Sequence, residues 1–291
     1  MNIYSKDNNL ILENVADFDI EDILECGQCF HFTKLDEKDY ELLAHGRYLH
    51  VVQKRDIVTL FNTNREEYDL VWKNYFDMTT DYNAIKEKII SADKRLKTAV
   101  YNKPGIRILK QDFFEVLISF IISQNNHIPR IKQIINTISE RYGESVITPD
   151  GQIKYIFPGI DKFIDVSEDE LRDCKVGFRA PYICEAVRMV YSGEINEDSL
   201  RSMNVVSARE KLMSIKGVGE KVANCVLLFG LTFTDVFPVD VWMKRIMETM
   251  YFEEDTKKNI IESKAYEIFG EYAGYAQQYL FHYGREIGLG K

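Results

Sequence analysis

Lys221 occupies a position that helix electrostatics disfavours. Residues 214–230, SIKGVGEKVANCVLLFG, read as the end of one helix, a glycine turn, and a second helix beginning near Glu220. A helix N-terminus carries partial positive charge, so an ammonium in its first turn is poorly placed for stability. The partly apolar neighbours Val218, Val222 and Leu228 also disfavour the ammonium. A lysine biased toward the free amine is a nucleophile able to form a Schiff base with an aldehyde-like carbon. The ordinary alternative is a surface lysine whose head lies in water.

Two features around Lys221 narrow that chemistry. Gly217 and Gly219 stand two apart, and glycine permits positive φ and close approach of a partner. A tight turn ending on a helix N-terminus presents free N–H groups, which bind an anion such as a DNA phosphate. Carbonyls of the same turn can hold a cation that bridges to the phosphate. A plain helix–turn–helix corner is the competing reading, because G-x-G alone is a weak signal. Further on, residues 233–247, FTDVFPVDVWMKRIM, read as a loop fixed by Pro238 and a helix opened by Asp240. An N-cap role suffices to explain Asp240. In that position it can also face the turn lysine and stabilise positive charge developing on a sugar ring. Together Lys221 and Asp240 point to chemistry at an anomeric carbon beside a phosphate.

The elements that must position these residues follow from the hydrophobic pattern. Residues 1 to about 105 read as strand-rich by period-two alternation, clearest in YELLAHGRYLHVVQKRDIVTLFNT (40–63), with turn-like breaks at 45–46 and 54–56. That pattern suits an antiparallel sheet with one wet face. NKPGIRI (102–108) carries Pro and Gly and marks a boundary. Beyond it the period becomes helical. Helices are expected over 111–124, 128–143, 168–174, 180–192, 208–215, 220–231, 240–250, 257–269 and 273–283. The first of these is apolar nearly all round and therefore buried. The fold class is α+β: a small N-terminal antiparallel sheet domain over 1–105, then a mostly helical body over 106–291 with the helix–hairpin–helix around 208–231.

Bulk properties set further bounds. The chain has 291 residues, of which 45% are hydrophobic and 29% charged, as in an ordinary soluble globular protein. No signal peptide and no membrane-spanning run are evident. Five scattered cysteines point to reduced thiols inside a cell, in the cytoplasm or nucleoid if the source is a bacterium. Cys26 and Cys29 form a lone C-x-x-C without a second ligand pair, so they read as packing thiols. The net charge of −9 argues against a non-specific nucleic-acid coat. It leaves room for binding through a local patch and backbone amides.

The glycine hairpin KGVGEK, followed by a proline-bearing loop and PVDV, resembles the helix–hairpin–helix DNA glycosylases. Lys221 with Asp240 resembles their bifunctional branch, which excises a base and nicks the strand. Within that branch the chain is similar to 8-oxoguanine DNA glycosylases over nearly its full length. The similarity is carried by ECGQCFHF (25–32), SFIISQNNHIPRI (119–131), VGFRAPYI (176–183) and GYAQQYLFHYGRE (274–286), in the family's order. Iron–sulfur members of the superfamily carry four clustered C-terminal cysteines. No cysteine follows Cys225, so no cluster is implied.

The resemblance implies roles position by position. Lys221 is the nucleophile toward C1′ and Asp240 its electrostatic partner. The turn with Gly217 and Gly219 binds phosphate, and backbone carbonyls of Met213, Ile215 and Val218 are candidates to hold a structural cation. The carbonyl of Gly27 accepts from the N7–H that 8-oxoguanine has and guanine lacks. An acceptor facing the bare N7 of guanine would repel, so one hydrogen bond can discriminate. Gln277 reads the Watson–Crick edge, and Cys225 and Phe281 sandwich the flipped base. Without the resemblance, Cys225 and Phe281 fit core positions and Gln277 a surface amide. Asn125, Arg130 and Arg179 fill the gap and supply the donors that an orphaned cytosine needs. Phe178 stands where relatives often have a tyrosine wedge, and Trp242, near the phosphates flanking the lesion, where they often have histidine. Both departures bear on opposite-base selection, not on the reaction.

The implied partner is double-stranded DNA containing 8-oxoguanine, with no membrane, no required organic cofactor, and a monomer as the expected state. Two other functions remain open at this level. One is a glycosylase for a formamidopyrimidine or an oxidised pyrimidine. The other is a non-catalytic damage-binding module, which would keep the hairpin but need neither Lys221 nor Asp240.

Overall fold

The computed structural model describes residues 1–288. Six strands, β1 (Asn2–Lys6), β2 (Asn9–Glu13), β3 (Phe32–Asp36), β4 (Asp39–Ala44), β5 (Arg47–Lys54) and β6 (Ile57–Phe61), form one antiparallel sheet in the order β1-β2-β6-β5-β4-β3. The alternation of residues 40–61 sets one face inward. Tyr40, Leu42, Leu49, Val51, Val58 and Leu60 are buried, and Tyr40 lies opposite Val51 in the β4–β5 register. The hairpin between them turns at His45 and Gly46, with φ of 49° and 71°. Two consecutive positive φ values match the right-handed twist of the flanking strands.

The strands of this sheet end at Phe61, earlier than the strand-rich reading to about 105, and a separate two-stranded antiparallel hairpin, Ser145–Ile147 with Ile153–Tyr155, lies within the helical body. Helical turns occupy 65–75, and α2 (Tyr82–Ala92) and α3 (Lys97–Asn102) follow, after a short α1 (Ile20–Glu25) that precedes β3. The cause is visible in the sequence. The Asp81 side chain caps α2, accepting from the Ala84 N–H at 3.1 Å. Tyr82, Ile85 and Ile89 bury one helical stripe.

The helical body contains α4 (Phe113–Ser123), α5 (Ile128–Tyr142), α6 (Glu168–Asp173), α7 (Ala180–Tyr191), α8 (Val205–Met213), α9 (Glu220–Phe229), α10 (Val241–Met247), α11 (Lys258–Phe269) and α12 (Ala273–Glu286). All nine fall on the expected segments. α4 is buried nearly all round, and its core packs against α5, α7, α8 and α9. A separate cluster joins α2 and α3 to α10, α11 and α12. The Pro238 loop and the Gln277 face of α12 are thereby held at one end of the body.

Arg107 links the sheet to the helices. Its guanidinium is buried and donates to the carbonyls of Asp17 (2.7 Å), Asp77 (2.7 Å) and Ala16 (3.0 Å), over the Tyr82 ring. Replacing it by leucine leaves three carbonyls without their donor. Arg107→Leu is expected to lower unfolding free energy by about 3 kcal/mol, read from urea denaturation. A loss below about 1 kcal/mol would mean that other donors reach those carbonyls.

Candidate active site

The hairpin is built from α8, the turn 214–219 and α9. Val218 N–H donates to the Ile215 carbonyl at 3.0 Å, closing the turn. Gly217 has φ of 87°, and a Cβ there would stand 2.3 Å from the Tyr182 ring. Gly219 is the N-cap of α9 and supplies no side-chain cap. The first-turn amides of α9 are therefore left to an outside acceptor.

Lys221 lies in that first turn and is half-buried. Its Nζ donates to Ser123 Oγ at 3.1 Å and sits 4.9 Å from the centre of the Phe120 ring. Both partners come from α4, so the buried helix orients the amine. Asp240 caps α10, accepting from the Met243 N–H at 2.7 Å, and remains half-buried. Lys221, Asp240, Gly219, Asn125 and Trp242 line one cleft of about 540 Å³, together with Ser123 and Lys258. The N-cap explanation of Asp240 and its placement with the lysine thus hold together. Cys225 lies below them. Burial pushes its thiol up to about 11, with the Asp240 carboxylate adding to the shift and the Lys221 ammonium opposing it.

The four residues expected to form the base pocket do not line that cleft. Gly27 and Phe281 form a second contact: with φ of +82°, Gly27 would place a Cβ 3.2 Å from Phe281 Cε1, with Ile128 and Arg285 next nearest. Gln28 fixes the loop carrying Gly27. Its amide donates to the carbonyls of Ile23 (2.8 Å) and Arg107 (2.7 Å) and accepts from the Leu109 N–H (2.9 Å). Gln277 is buried at 5% exposure, not a surface amide, and its Nε2 donates to the Pro238 carbonyl at 3.4 Å. Pro238 lies two residues before Asp240, so the hydrogen bond ties α12 to the Lys221 cleft.

On the other side of the cleft, Arg179 is buried and gives most of its donors to the protein. Nε donates to the Gln124 carbonyl at 2.9 Å, Nη1 to Val176 at 3.0 Å and Nη2 to Asn125 at 3.1 Å. It holds the loop on which Asn125 is exposed with φ of 47°. Burial, with the nearby Arg130 charge, lowers the Arg179 pKa from its ordinary value. Phe178 is 55% exposed, stacks under the Arg179 guanidinium at 4.4 Å and meets Tyr182 edge-on at 6.2 Å. Arg130 is exposed on α5.

Cys26 and Cys29 are buried free thiols. Burial pushes Cys26 up to about 12 and Cys29 well above its ordinary value. Among the described residues, no group of three or more His, Cys, Asp or Glu is placed to hold a metal ion. Residue types alone did not single out Ser123, Gln28 and Tyr182 as supports of the site. Each acts through a tertiary contact, the Ser123 hydroxyl on Lys221, the Gln28 amide on three backbone groups and the Tyr182 ring on Gly217, that leaves no spacing pattern.

Two family models match the chain: the 8-oxoguanine DNA glycosylase N-terminal domain over residues 10–117, and the HhH-GPD superfamily base excision DNA repair protein over residues 118–271. A protein of Methanothermobacter thermautotrophicus named "Probable N-glycosylase/DNA lyase" is 32% identical over 247 residues, covering 78% of this chain and 77% of its own length. The Saccharomyces cerevisiae N-glycosylase/DNA lyase is 32% identical over 249 residues, covering 74% of this chain and 65% of its own length. Clostridium acetobutylicum 8-oxoguanine glycosylase/lyase, solved with double-stranded DNA containing cytosine opposite 8-oxoguanine, superposes with a TM-score of 0.95 at 40% identity, covering 99% of both chains.

Proposed function

The chain belongs to the HhH-GPD superfamily of base excision DNA repair proteins, in its 8-oxoguanine DNA glycosylase branch, and from that premise we infer how its residues perform the reaction. The enzyme flips 8-oxoguanine out of duplex DNA, cleaves its N-glycosidic bond and nicks the strand. The observation that carries the residue assignment is the Lys221 amine, held by Ser123 in the cleft it shares with Asp240.

Lys221 attacks C1′ of the deoxyribose as the free amine. The C1′–N9 bond breaks, its electron pair leaves with the base, and the base takes up a proton. Asp240 opposes the positive charge that grows on the sugar. Loss of a proton from nitrogen and opening of the ring give the imine. Removal of a C2′ proton then breaks the C3′–O bond and releases the 3′ phosphate, which is the nick. The first-turn amides behind Gly217 and Gly219 grip a backbone phosphate, and Trp242 packs near the flank. Phe178 wedges the duplex while Asn125, Arg130 and Arg179 meet the orphaned cytosine. The flipped base lies between Cys225 and Phe281, with Gly27 reading N7–H and Gln277 the Watson–Crick edge.

No organic cofactor enters these steps. A structural cation fits the turn after α8. The carbonyls of Met213 and Val218 take no protein donor among the described residues, and the Ile215 carbonyl takes only the Val218 N–H. When bound, such an ion would be held by these carbonyls and would supply positive charge toward a DNA phosphate.

The test is excision from duplexes carrying one lesion each, opposite all four bases. Fastest cleavage at 8-oxoguanine opposite cytosine is expected. Equal or faster cleavage at an oxidised pyrimidine would overturn the substrate assignment. Gly27→Ala adds a methyl that presses on Phe281 at a positive φ. It is expected to cut the 8-oxoguanine-to-guanine selectivity ratio roughly tenfold, measured by single-turnover excision from the two duplexes. Unchanged selectivity would remove the Gly27 carbonyl from lesion reading.

A further inference from the structure

Residue 278 is also glutamine, and like its neighbour it is buried. Gln278 is buried at 2% exposure, and its Nε2 donates to Gln277 Oε1 at 2.6 Å. The Gln277 Nε2 donates in turn to the Pro238 carbonyl. Gln278 Oε1 is itself buried with no hydrogen-bond partner among the described residues. A buried amide oxygen left unpaired is destabilising, so packing alone gives no reason for glutamine here.

We propose that Gln278 is a positioning residue for lesion recognition, fixing the amide of Gln277 with its oxygen available to the Watson–Crick edge of the flipped base. The proposal rests on the assignment of Gln277 as the reader of that edge. Guanine and 8-oxoguanine present N1–H and N2–H donors there, so the reader must offer an oxygen. An amide can turn over and present N–H groups instead, and two donors would then oppose two donors. The Pro238 carbonyl is an acceptor in every state, which holds the Gln277 nitrogen on its side. The Gln278 N–H holds the oxygen on the other. An amide oxygen has two lone pairs. One serves Gln278, and the second remains for the base.

Gln278→Met keeps length and volume but removes the donor. Single-turnover excision of 8-oxoguanine opposite cytosine is expected to fall roughly tenfold. Nicking of a preformed abasic site should stay within about twofold, because no base is read there. The melting temperature should change little, since the unpaired Gln278 Oε1 is removed while Gln277 Oε1 loses its donor. Equal losses in excision and nicking, or a lower melting temperature with no change in excision, would overturn the proposal in favour of a purely structural role. Gln278→Glu gives a second readout. Its carboxylate opposes the Gln277 oxygen, whereas its protonated form can donate, so the ratio of excision to nicking should recover as pH falls. A flat ratio counts against the proposal.

Gln277→Ala separates the two assignments. If it leaves the ratio unchanged, the reading of Gln277 itself fails. If it lowers the ratio while Gln278→Met does not, only the positioning role fails. In the double variant Gln277→Ala/Gln278→Met, no further loss beyond Gln277→Ala is expected.

Discussion

Lys221→Gln is expected to abolish the covalent complex that borohydride traps with an 8-oxoguanine:cytosine duplex, and to slow excision by more than about 10⁴-fold. Glutamine is nearly as long as lysine and can still donate to Ser123 Oγ, so the local packing against Phe120 is kept. Its amide nitrogen has no free electron pair to give C1′. The attack fails for electronic reasons, and the fold does not change. The proposed phosphate grip uses backbone amides of α9, which the substitution leaves in place. Affinity for the lesion duplex, measured by fluorescence anisotropy, should therefore stay within about threefold, because backbone donors carry that contact. The pairing of lost trapping with retained binding is the informative result. An unchanged trapped yield would remove Lys221 from the mechanism, and loss of binding as well would show that the side chain holds the hairpin together.

Some of this site can be read from the chain and some cannot, for physical reasons that differ residue by residue. The hairpin is legible because two glycines, a lysine and a capping aspartate sit at spacings that only one local geometry serves. Nine helices of the body are legible because Asp112, Ser167 and Asp240 announce starts and the apolar stripes repeat at helical period, whereas the short helices Ile160–Phe163 and Glu197–Ser202 go unread. The helices between 65 and 105 were hidden by extending the clean alternation of the strands before them, although Asp81 and the 82, 85, 89 spacing carry the signal. Gln277 reads alone as a surface amide. It is buried because α12 packs Ala276, Tyr279 and Leu280 against α2, α3 and α10, and the turn of that helix carries Gln277 inward with them. Arg179 looks from its residue type like a donor for DNA. In the fold its donors first hold carbonyls at 124, 125 and 176, so its proposed effect on the opposite base would run partly through the shape of the Asn125 loop. Hydrogen bonds to backbone carbonyls leave no trace in a sequence, and the supports of this site are largely of that kind.

The two hairpin glycines look equivalent in the sequence, yet their replacements are expected to differ sharply. Gly217 combines a φ of 87° with a Tyr182 ring 2.3 Å from where a Cβ would stand. An alanine there meets two penalties. The left-handed backbone costs roughly 1–2 kcal/mol, and the clash with a ring forces a further shift costing about 1–3 kcal/mol. The Tyr182 ring also meets Phe178, the proposed wedge, edge-on with centroids 6.2 Å apart. A Tyr182 ring displaced at the proposed phosphate-binding turn is expected to disturb the proposed wedge. Gly219 has ordinary φ of −96° and nothing within 4 Å of its Cβ position, so alanine there loses only a better N-cap, about 0.5–1 kcal/mol. Gly217→Ala should therefore lower the melting temperature by several degrees and weaken binding to the lesion duplex by roughly 30-fold or more, as the turn amides leave their phosphate-facing positions. Gly219→Ala should bind within about fivefold of the parent. Adding Tyr182→Leu to Gly217→Ala relieves the clash but not the backbone penalty, so stability should return in part. If the two glycine variants bind DNA alike, close packing of the turn on Tyr182 has no part in the grip, and the amides of α9 work without it.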